Sequence, residues 1–444
     1  LKLSDLALGL THVPLTAWRL WLVYWRKLWV RVVVMGGVAV LALGLARLFG
    51  WLIPGDWNGA VSGEATDRLL AIMANALLAV TTFSLTVMVT VFRSSATQFT
   101  PRVHRLIMED TVTQKTLAAF VGAYVYSLCG IILRELDIFG DDRSLVLFAT
   151  TVLMLGYVVV SIIRWIVHLQ TFGSLAKTLQ QVEDMVRLRL QERLDMPCLG
   201  ANVWPTDKEL PREAKPVRAT ESGYICEIFQ EGLNAKARAQ GWHIYLPNEI
   251  GDYISKGDTI AYWVAVGDGA KEADEEKAAE VICRHINMGQ MRSYQQDPHF
   301  GLTVLSEIGS KALSPGINDP GTAIDVFIRQ GAILAGYRRE DIDPPENPTF
   351  DRLWVRPLNA AELLRDAFTA PARDGAAVIE VQERLQQVLA GLLDHPCEDM
   401  AEAARSLATL CCARARTALA FGPDRDRLKA ATNPDVWSGS ESLI

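Results

Sequence analysis

The sequence predicts an α-helical polytopic membrane protein: four transmembrane helices, then a mixed α+β cytoplasmic domain holding a small barrel-sandwich-like β module. Three observations predict it. Four apolar runs, each near the roughly 20 residues that cross a bilayer, lie before about residue 170. The segments between these runs alternate between basic and acidic. Beyond them, short strand-like runs with Gly turns give way to helical periodicity. A chain of 444 residues has room for about two to three domains. Half of its residues are apolar and the mean hydropathy is +0.15, with the excess concentrated N-terminally.

The N-terminal arm, 1–27, begins on Leu1 rather than Met, so the native start can lie upstream. No small-residue cleavage site precedes the first apolar run, and no secreted form is expected. Trp18, Trp21, Tyr24, Trp25 and Trp29 suit an aromatic belt on a helix lying in the interface.

The four runs are 28–49, 69–91, 116–133 and 145–168, within a transmembrane domain at 28–170. Their few charges, Arg31, Arg47, Arg164 and His168, lie near the ends, where long side chains reach the headgroups. Lys and Arg are retained on the cytoplasmic side. The arm carries Lys2, Arg19, Arg26 and Lys27, and the segment after the second run carries Arg93, Arg102, Arg105 and Lys115. The other two connections are acidic on balance, with Asp56, Glu64 and Asp67, then Glu135, Asp137, Asp141 and Asp142. Both termini are therefore expected in the cytoplasm.

On the second run Asn75, Thr82, Thr86 and Thr90 share one helical stripe. Such a stripe either lines a water-filled path or supplies hydrogen bonds between helices. The third run carries Ala118, Gly122, Tyr126 and Gly130 beside Ala119, Ala123 and Ser127, a small-residue face that permits close packing.

Region 171–216 reads as an amphipathic helix over 174–194, with Leu175, Leu179, Val182, Met185, Val186 and Leu190 on its apolar side, then a Pro- and charge-rich linker. Residues 217–266 contain Ser222-Gly223-Tyr224-Ile225 and a second turn-rich run from Gly251 to Asp258, which look like the two half-motifs of a barrel-sandwich hybrid. Lys256 sits in a turn rather than in the hairpin that carries a modified lysine in biotinyl and lipoyl carriers, so no covalent cofactor is expected.

From 267 to 444 the chain reads as mostly helical, with helices expected at 272–288, 300–313, 321–336, 359–369, 375–394 and 398–420 and a Pro-rich break at 340–358. Asp297-Pro298 and Asp319-Pro320 each precede an apolar helical pattern, as an N-cap followed by Pro at the first helical position would. The same segment, with Asn318, Asp319 and Thr322 at a helix start, is also a candidate place for an ion or polar ligand.

Chemistry is sparse. There is no P-loop, no His-Glu-x-x-His and no Gly-x-Ser-x-Gly, so no catalytic residue is assigned. His285 and His299 have no neighbours at metal-ligand spacing, and no metal or cofactor site is assigned. The seven cysteines, at 129, 198, 226, 283, 397, 411 and 412, form no Cys-x-x-Cys pair and suit a reducing compartment. A net charge of −7 argues against nucleic acid as a partner.

The run Leu78-Ala79-Val80-Thr81-Thr82-Phe83-Ser84, the following Gln98-Phe99-Thr100-Pro101-Arg102, the run from Phe120 to Ser127 and the segment 312–323 together resemble one family. It is the set of bacterial predicted membrane proteins known as domain-of-unknown-function family 2254. The resemblance implies a multi-pass inner-membrane protein and carries over no catalytic residue, substrate or cofactor.

Two functions follow as expectations. The first is an oligomeric channel or transport-like protein with a cytoplasmic vestibule or regulatory domain, since four short-looped helices exceed what an anchor needs. The alternative is a membrane-anchored scaffold or sensor whose cytoplasmic domain binds a partner or small ligand. An enzyme ranks last. The expected partners are the lipid bilayer, further copies of the chain and an ion or small ligand.

Overall fold

The structure is a computed structural model that describes scattered positions between residues 30 and 44, then 63–108, 110–136, 144–204, 210–266, 275–340 and 348–443. The chain divides into two compact units, Leu1–Lys177 and Thr178–Ile444. The N-terminal arm and most of the first expected span lie outside the described residues.

Among the described residues of the first unit, three helices are long and apolar enough to cross a membrane: Gly63–Thr97, Pro101–Glu135 and Leu147–Leu169. They correspond to α1 (Gly63–Gln98), to the short α2 (Pro101–Met108) leading into α3 (Thr111–Glu135), and to α4 (Ser144–Leu169). No proline interrupts α1, α3 or α4, so each backbone ladder runs unbroken, as a span in hydrocarbon requires. Leu70, Met73 and Leu77 of α1 pack with Phe120, Ala123 and Tyr126 of α3 and with Leu147, Val158 and Trp165 of α4. The small face of α3 lies in this seam: Ala118, Ala119, Gly122, Ala123, Ser127 and Gly130 are all buried. Polar side chains also join these helices, among them His168 Nε2 of α4 and Asp110 Oδ2 at the start of α3, 3.0 Å apart. Tyr126 Oη lies 2.8 Å from Thr150 Oγ1, and Arg134 Nε lies 2.9 Å from Asp67 Oδ1 near the helix ends.

The second unit takes up most of α5 (Leu175–Asp195), whose buried residues Leu179, Val182, Val186 and Leu190 are those expected of its apolar side. Among the described residues eight strands follow in sequence: β1 (Ala201–Val203), β2 (Lys215–Arg218), β3 (Gly223–Ile228), β4 (Trp242–Leu246), β5 (Tyr253–Ile254), β6 (Thr259–Ala265), β7 (Ile286–Gly289) and β8 (Phe350–Val355). Helix α6 (Gln230–Gln240) separates β3 from β4, and α7 (Glu275–His285) precedes β7. One sheet runs β1-β8-β4-β6-β2 and the other β5-β3-β7.

The strands of 217–266 therefore do not close on themselves as a separate barrel-sandwich module. β4 pairs in parallel with β8, which falls in the expected Pro-rich break, and β3 pairs with β7, which overlaps the helix expected at 272–288. The two expected half-motifs do meet: Gly223 pairs with Ile254 and Tyr224 with Tyr253. Trp242, Ile244, Trp263 and Ile282 centre the core of this part.

The other elements described in the unit are helices: α8 (Pro298–Ala312), α9 (Pro320–Leu334), α10 (Ala360–Asp374), α11 (Ile379–Leu393), α12 (Glu398–Ala418), α13 (Gly422–Ala431) and α14 (Pro434–Glu441). Helix α8 accepts α5 closely because residue 301 is glycine. A Cβ there would stand 2.2 Å from Val186 Cγ2, inside van der Waals contact.

Candidate functional site

The polar stripe of α1 faces outward. Asn75, Thr82, Thr86 and Thr90 are all exposed. The three threonine hydroxyls donate to the carbonyls of Leu78, Thr82 and Thr86 in their own helix, at 2.8–2.9 Å. These bonds stay within one helix, which is how a threonine satisfies itself in an apolar setting. The crevice between α1, α3 and α4, lined by Ser84, Thr113, Thr116 and Trp165 among others, is too tight to admit water.

The segment 312–323 forms a helix start. Asn318 adopts φ of 51°, a left-handed conformation that asparagine tolerates. Asp319 then caps α9, accepting from Thr322 N–H at 3.1 Å and from Thr322 Oγ1 at 2.6 Å. These two hydrogen bonds hold its carboxyl below the usual carboxylate range. Asn318 is exposed, and the capping bonds use both oxygens of Asp319.

A different cluster stands out in the second unit. His299 lies in the first turn of α8, after Asp297, which caps the helix by accepting from Phe300 N–H at 2.9 Å. Only 6% of His299 is exposed. Its Nδ1 is 2.8 Å from Asp366 Oδ2 on α10, and its Nε2 is 3.4 Å from Glu249 Oε2 in the turn after β4. Glu362 stands one helical turn before Asp366, on the same face of α10. One ligand atom from each of Glu249, His299 and Glu362 can be chosen so that all three lie within 4.8 Å of one another.

Local geometry brings the Glu249 turn to this point. Gly251, at φ of 101°, passes so close to the helix start that a Cβ would lie 2.4 Å from Asp297 Oδ2 and 2.6 Å from Arg292 Nη2. Only glycine fits both the conformation and the space. Arg292 in turn forms a two-pronged pair with Asp297, at 2.9 Å for each contact.

Two atoms of the cluster are incompletely satisfied. His299 Nε2 is near enough to Glu249 for an ion pair but is not aligned for a hydrogen bond, and Glu249 Oε1 is buried with no hydrogen-bond partner. Buried polar atoms usually find partners, and leaving one unmade costs about 1–3 kcal/mol. Burial alone would drive the His299 imidazolium toward neutrality. Asp366 and Glu249 outweigh it and hold the group up to about 9. For Glu249, burial pushes the carboxyl up, but His299 and the charges of Arg193 and Arg356 hold it below its ordinary value.

Spacing along the chain does not reveal this cluster. No ligand sits near His299 in sequence, so the local pattern predicts no metal role for it, yet Asp366 lies 67 residues away and in contact. The usable signals are the Asp-Pro-His helix start and the Glu362/Asp366 pair four residues apart.

A family model described as "Predicted membrane protein (DUF2254)" matches residues 25–391, a stretch that includes Glu249, His299, Glu362 and Asp366. The chain is similar to an uncharacterised protein of Mycobacterium bovis and to an uncharacterised protein of Mycobacterium tuberculosis strain H37Rv. Each is 28% identical over 306 residues, covering 67% of this chain and 57% of the relative. The chain thus spans less than two thirds of the length of these relatives. No solved structure matches.

Proposed function

This chain belongs to the DUF2254 family of predicted membrane proteins, and from that premise we propose that it is a membrane-anchored sensor. In this reading its C-terminal unit takes up a small charged ligand at the His299 cluster. The protein sits in a bacterial inner membrane with four spans and both termini in the cytoplasm, a topology supported by the basic N-terminal arm and the basic segment around Arg102, Arg105 and Lys115.

One observation carries the reading: a buried group of titratable side chains whose polar atoms are not all satisfied lies in the C-terminal unit. In the membrane helices the stripe hydroxyls bond within their own helix, and the enclosed His168 and Asp110 already pair with each other at 3.0 Å. Sequence order supplies a route for the signal. Helix α5 follows the last membrane helix after residues 170–174, and it carries Arg193, whose charge acts on Glu249.

The channel reading is the runner-up, and the outward position of Asn75, Thr82, Thr86 and Thr90 favours it. Such a face would line a pore or join copies of the chain in an oligomer. Protein reconstituted in liposomes separates the two. The sensor reading expects no ion flux and no reaction of cysteines placed at 82, 86 and 90 with a membrane-impermeant thiol reagent. Flux that Thr86→Leu blocks would replace the sensor by a channel. Reporter fusions test the topology: a C-terminal alkaline phosphatase that is active outside the membrane would overturn it.

A further inference from the structure

We propose that the His299 cluster is a site for a divalent transition-metal cation, with His299 Nε2 and the carboxylates of Glu249 and Glu362 as ligands and Asp366 orienting the imidazole. The proposal rests on the sensor reading for its biological meaning and names the ligand class of that site. Its chemistry stands on the geometry alone.

Ligand atoms held at about 2.0–2.2 Å around one ion lie roughly 3–4 Å apart, so a cluster spanning 4.8 Å needs little adjustment to close on a cation. The atoms left unsatisfied are the ones a cation would use. His299 Nε2 has no aligned hydrogen bond, and Glu249 Oε1 has none either. Both are enclosed, with the His299 side chain 8% and that of Glu249 15% exposed.

The other face of the imidazole is already committed. Asp366 Oδ2 at 2.8 Å accepts the Nδ1–H hydrogen bond, so a cation that displaces the Nε2 proton of the imidazolium meets that nitrogen already turned toward the glutamates. A carboxylate behind a metal-bound histidine plays this part generally: it fixes the tautomer and strengthens the nitrogen as a donor.

The neighbouring charges leave the carboxylates available. Arg292 is matched by Asp297 and Arg193 by Glu340, so neither arginine draws Glu249 into a pair of its own. Arg356 acts on Glu249 at longer range, and the exposed Arg365 lies 3.6 Å from Glu362; both reduce affinity for a cation without occupying the cluster. The Glu362 side chain is 36% exposed, giving an ion a route from solvent and room for a water in the remaining coordination position.

One imidazole and two carboxylates make a donor set of intermediate hardness. It favours Mn²⁺, Fe²⁺ or Zn²⁺ over Ca²⁺, which prefers oxygen alone, and over Cu⁺, which prefers sulfur.

The test uses the full chain in detergent, stripped with chelator and titrated with Mn²⁺, retained metal being counted after gel filtration. Mn²⁺ is the main probe because the free cysteines favour softer ions. One Mn²⁺ per chain is expected. Glu362→Gln, on a partly exposed side chain, should weaken binding at least tenfold, and Asp366→Asn about 10–100-fold. Metal-free Glu362→Gln should unfold at the wild-type temperature, and metal-free Asp366→Asn should still unfold cooperatively, so that lost binding is distinguished from lost fold. Failure of the wild type to retain Mn²⁺ or Zn²⁺, or equal affinity in wild type and both variants, would overturn the site. Ion flux measured on the same preparation keeps the two readings apart. Flux together with bound metal removes the sensor and keeps the site, whereas absence of both removes the site and leaves the anchored sensor with another ligand.

Discussion

Arg193 and Glu340 form a buried two-pronged ion pair, Nε to Oε1 at 2.6 Å and Nη2 to Oε2 at 3.0 Å, across 147 residues of sequence. Both partners are saturated further. Arg193 Nη2 also donates to the Arg356 carbonyl at 2.9 Å, and Glu340 Oε2 also accepts from Leu358 N–H at 2.8 Å. Burial opposes the arginine charge, but Glu340 more than offsets it and keeps the guanidinium firmly protonated.

Removing one member of that pair strands the other. Arg193→Ala should cost about 3–5 kcal/mol, because Glu340 is left fully buried without its counter-charge. The double variant Arg193→Met/Glu340→Gln should recover most of the loss, since the amide oxygen of the substituted side chain can still accept from Leu358 N–H. Urea midpoints read by pulse proteolysis of the C-terminal unit would decide; a double variant no better than Arg193→Ala would show that the pair is not the source of the stability.

The metal-free protein should lose stability as the pH is raised. His299 carries its proton more tightly folded than unfolded, with the group raised from 6.5 to about 9. That contribution is complete below pH 6.5 and fades as the pH passes through about 9, amounting to roughly 3 kcal/mol at 1.36 kcal/mol per pH unit. The groups facing His299 are Asp366, Glu249 and Glu362, with Arg193, Arg356 and the Arg292–Asp297 pair behind them. Thermal unfolding between about pH 6 and 10 in chelator should show the decline in wild type and a shallower one in Asp366→Asn.

Asp319 offers a cleaner case. Asp319→Ala should destabilise by about 0.5–2 kcal/mol, and Asp319→Asn or Asp319→Ser should restore most of it, because either side chain accepts the Thr322 N–H bond. If Asn and Ala prove equally damaging to function while thermal unfolding is unchanged, the carboxylate has a ligand of its own.

Gly301→Ala should cost about 1–3 kcal/mol by driving its methyl group into Val186. Combining it with Val186→Ala should return part of the loss. Additive destabilisation in the double variant would mean that α5 and α8 do not meet at this point.

Much of the fold is legible because its signals are local. Asp297 and Asp319 announce α8 and α9 through an N-cap followed by proline, and the apolar side of α5 is readable as periodicity from Leu179 to Leu190. The paired turns at Gly223 and Ile254 are legible too. Sheet membership is not. β8 is a six-residue strand beside a Pro-rich stretch, and only its parallel pairing with β1 and β4 makes it a strand. β7 follows α7 without a break, so its four residues read as the end of a helix. The His299 cluster is hidden for the same reason: Glu249, His299 and Asp366 belong to three elements that no local period connects.

The long reach of the Arg193–Glu340 pair bears on how the chain is made. At about 5–20 residues per second, a ribosome that has added Arg193 needs roughly 7–30 s to reach Glu340, 147 residues later. Through that interval the preceding apolar helices have already been synthesised and can enter the bilayer, while Arg193 has no partner and stays in water. The C-terminal unit cannot finish folding until β8 and α10 have emerged as well. Insertion and folding are thus ordered in time, and a nascent chain stalled after β6 has emerged but before β8 is made would present a half-built sheet, open at its β4 edge.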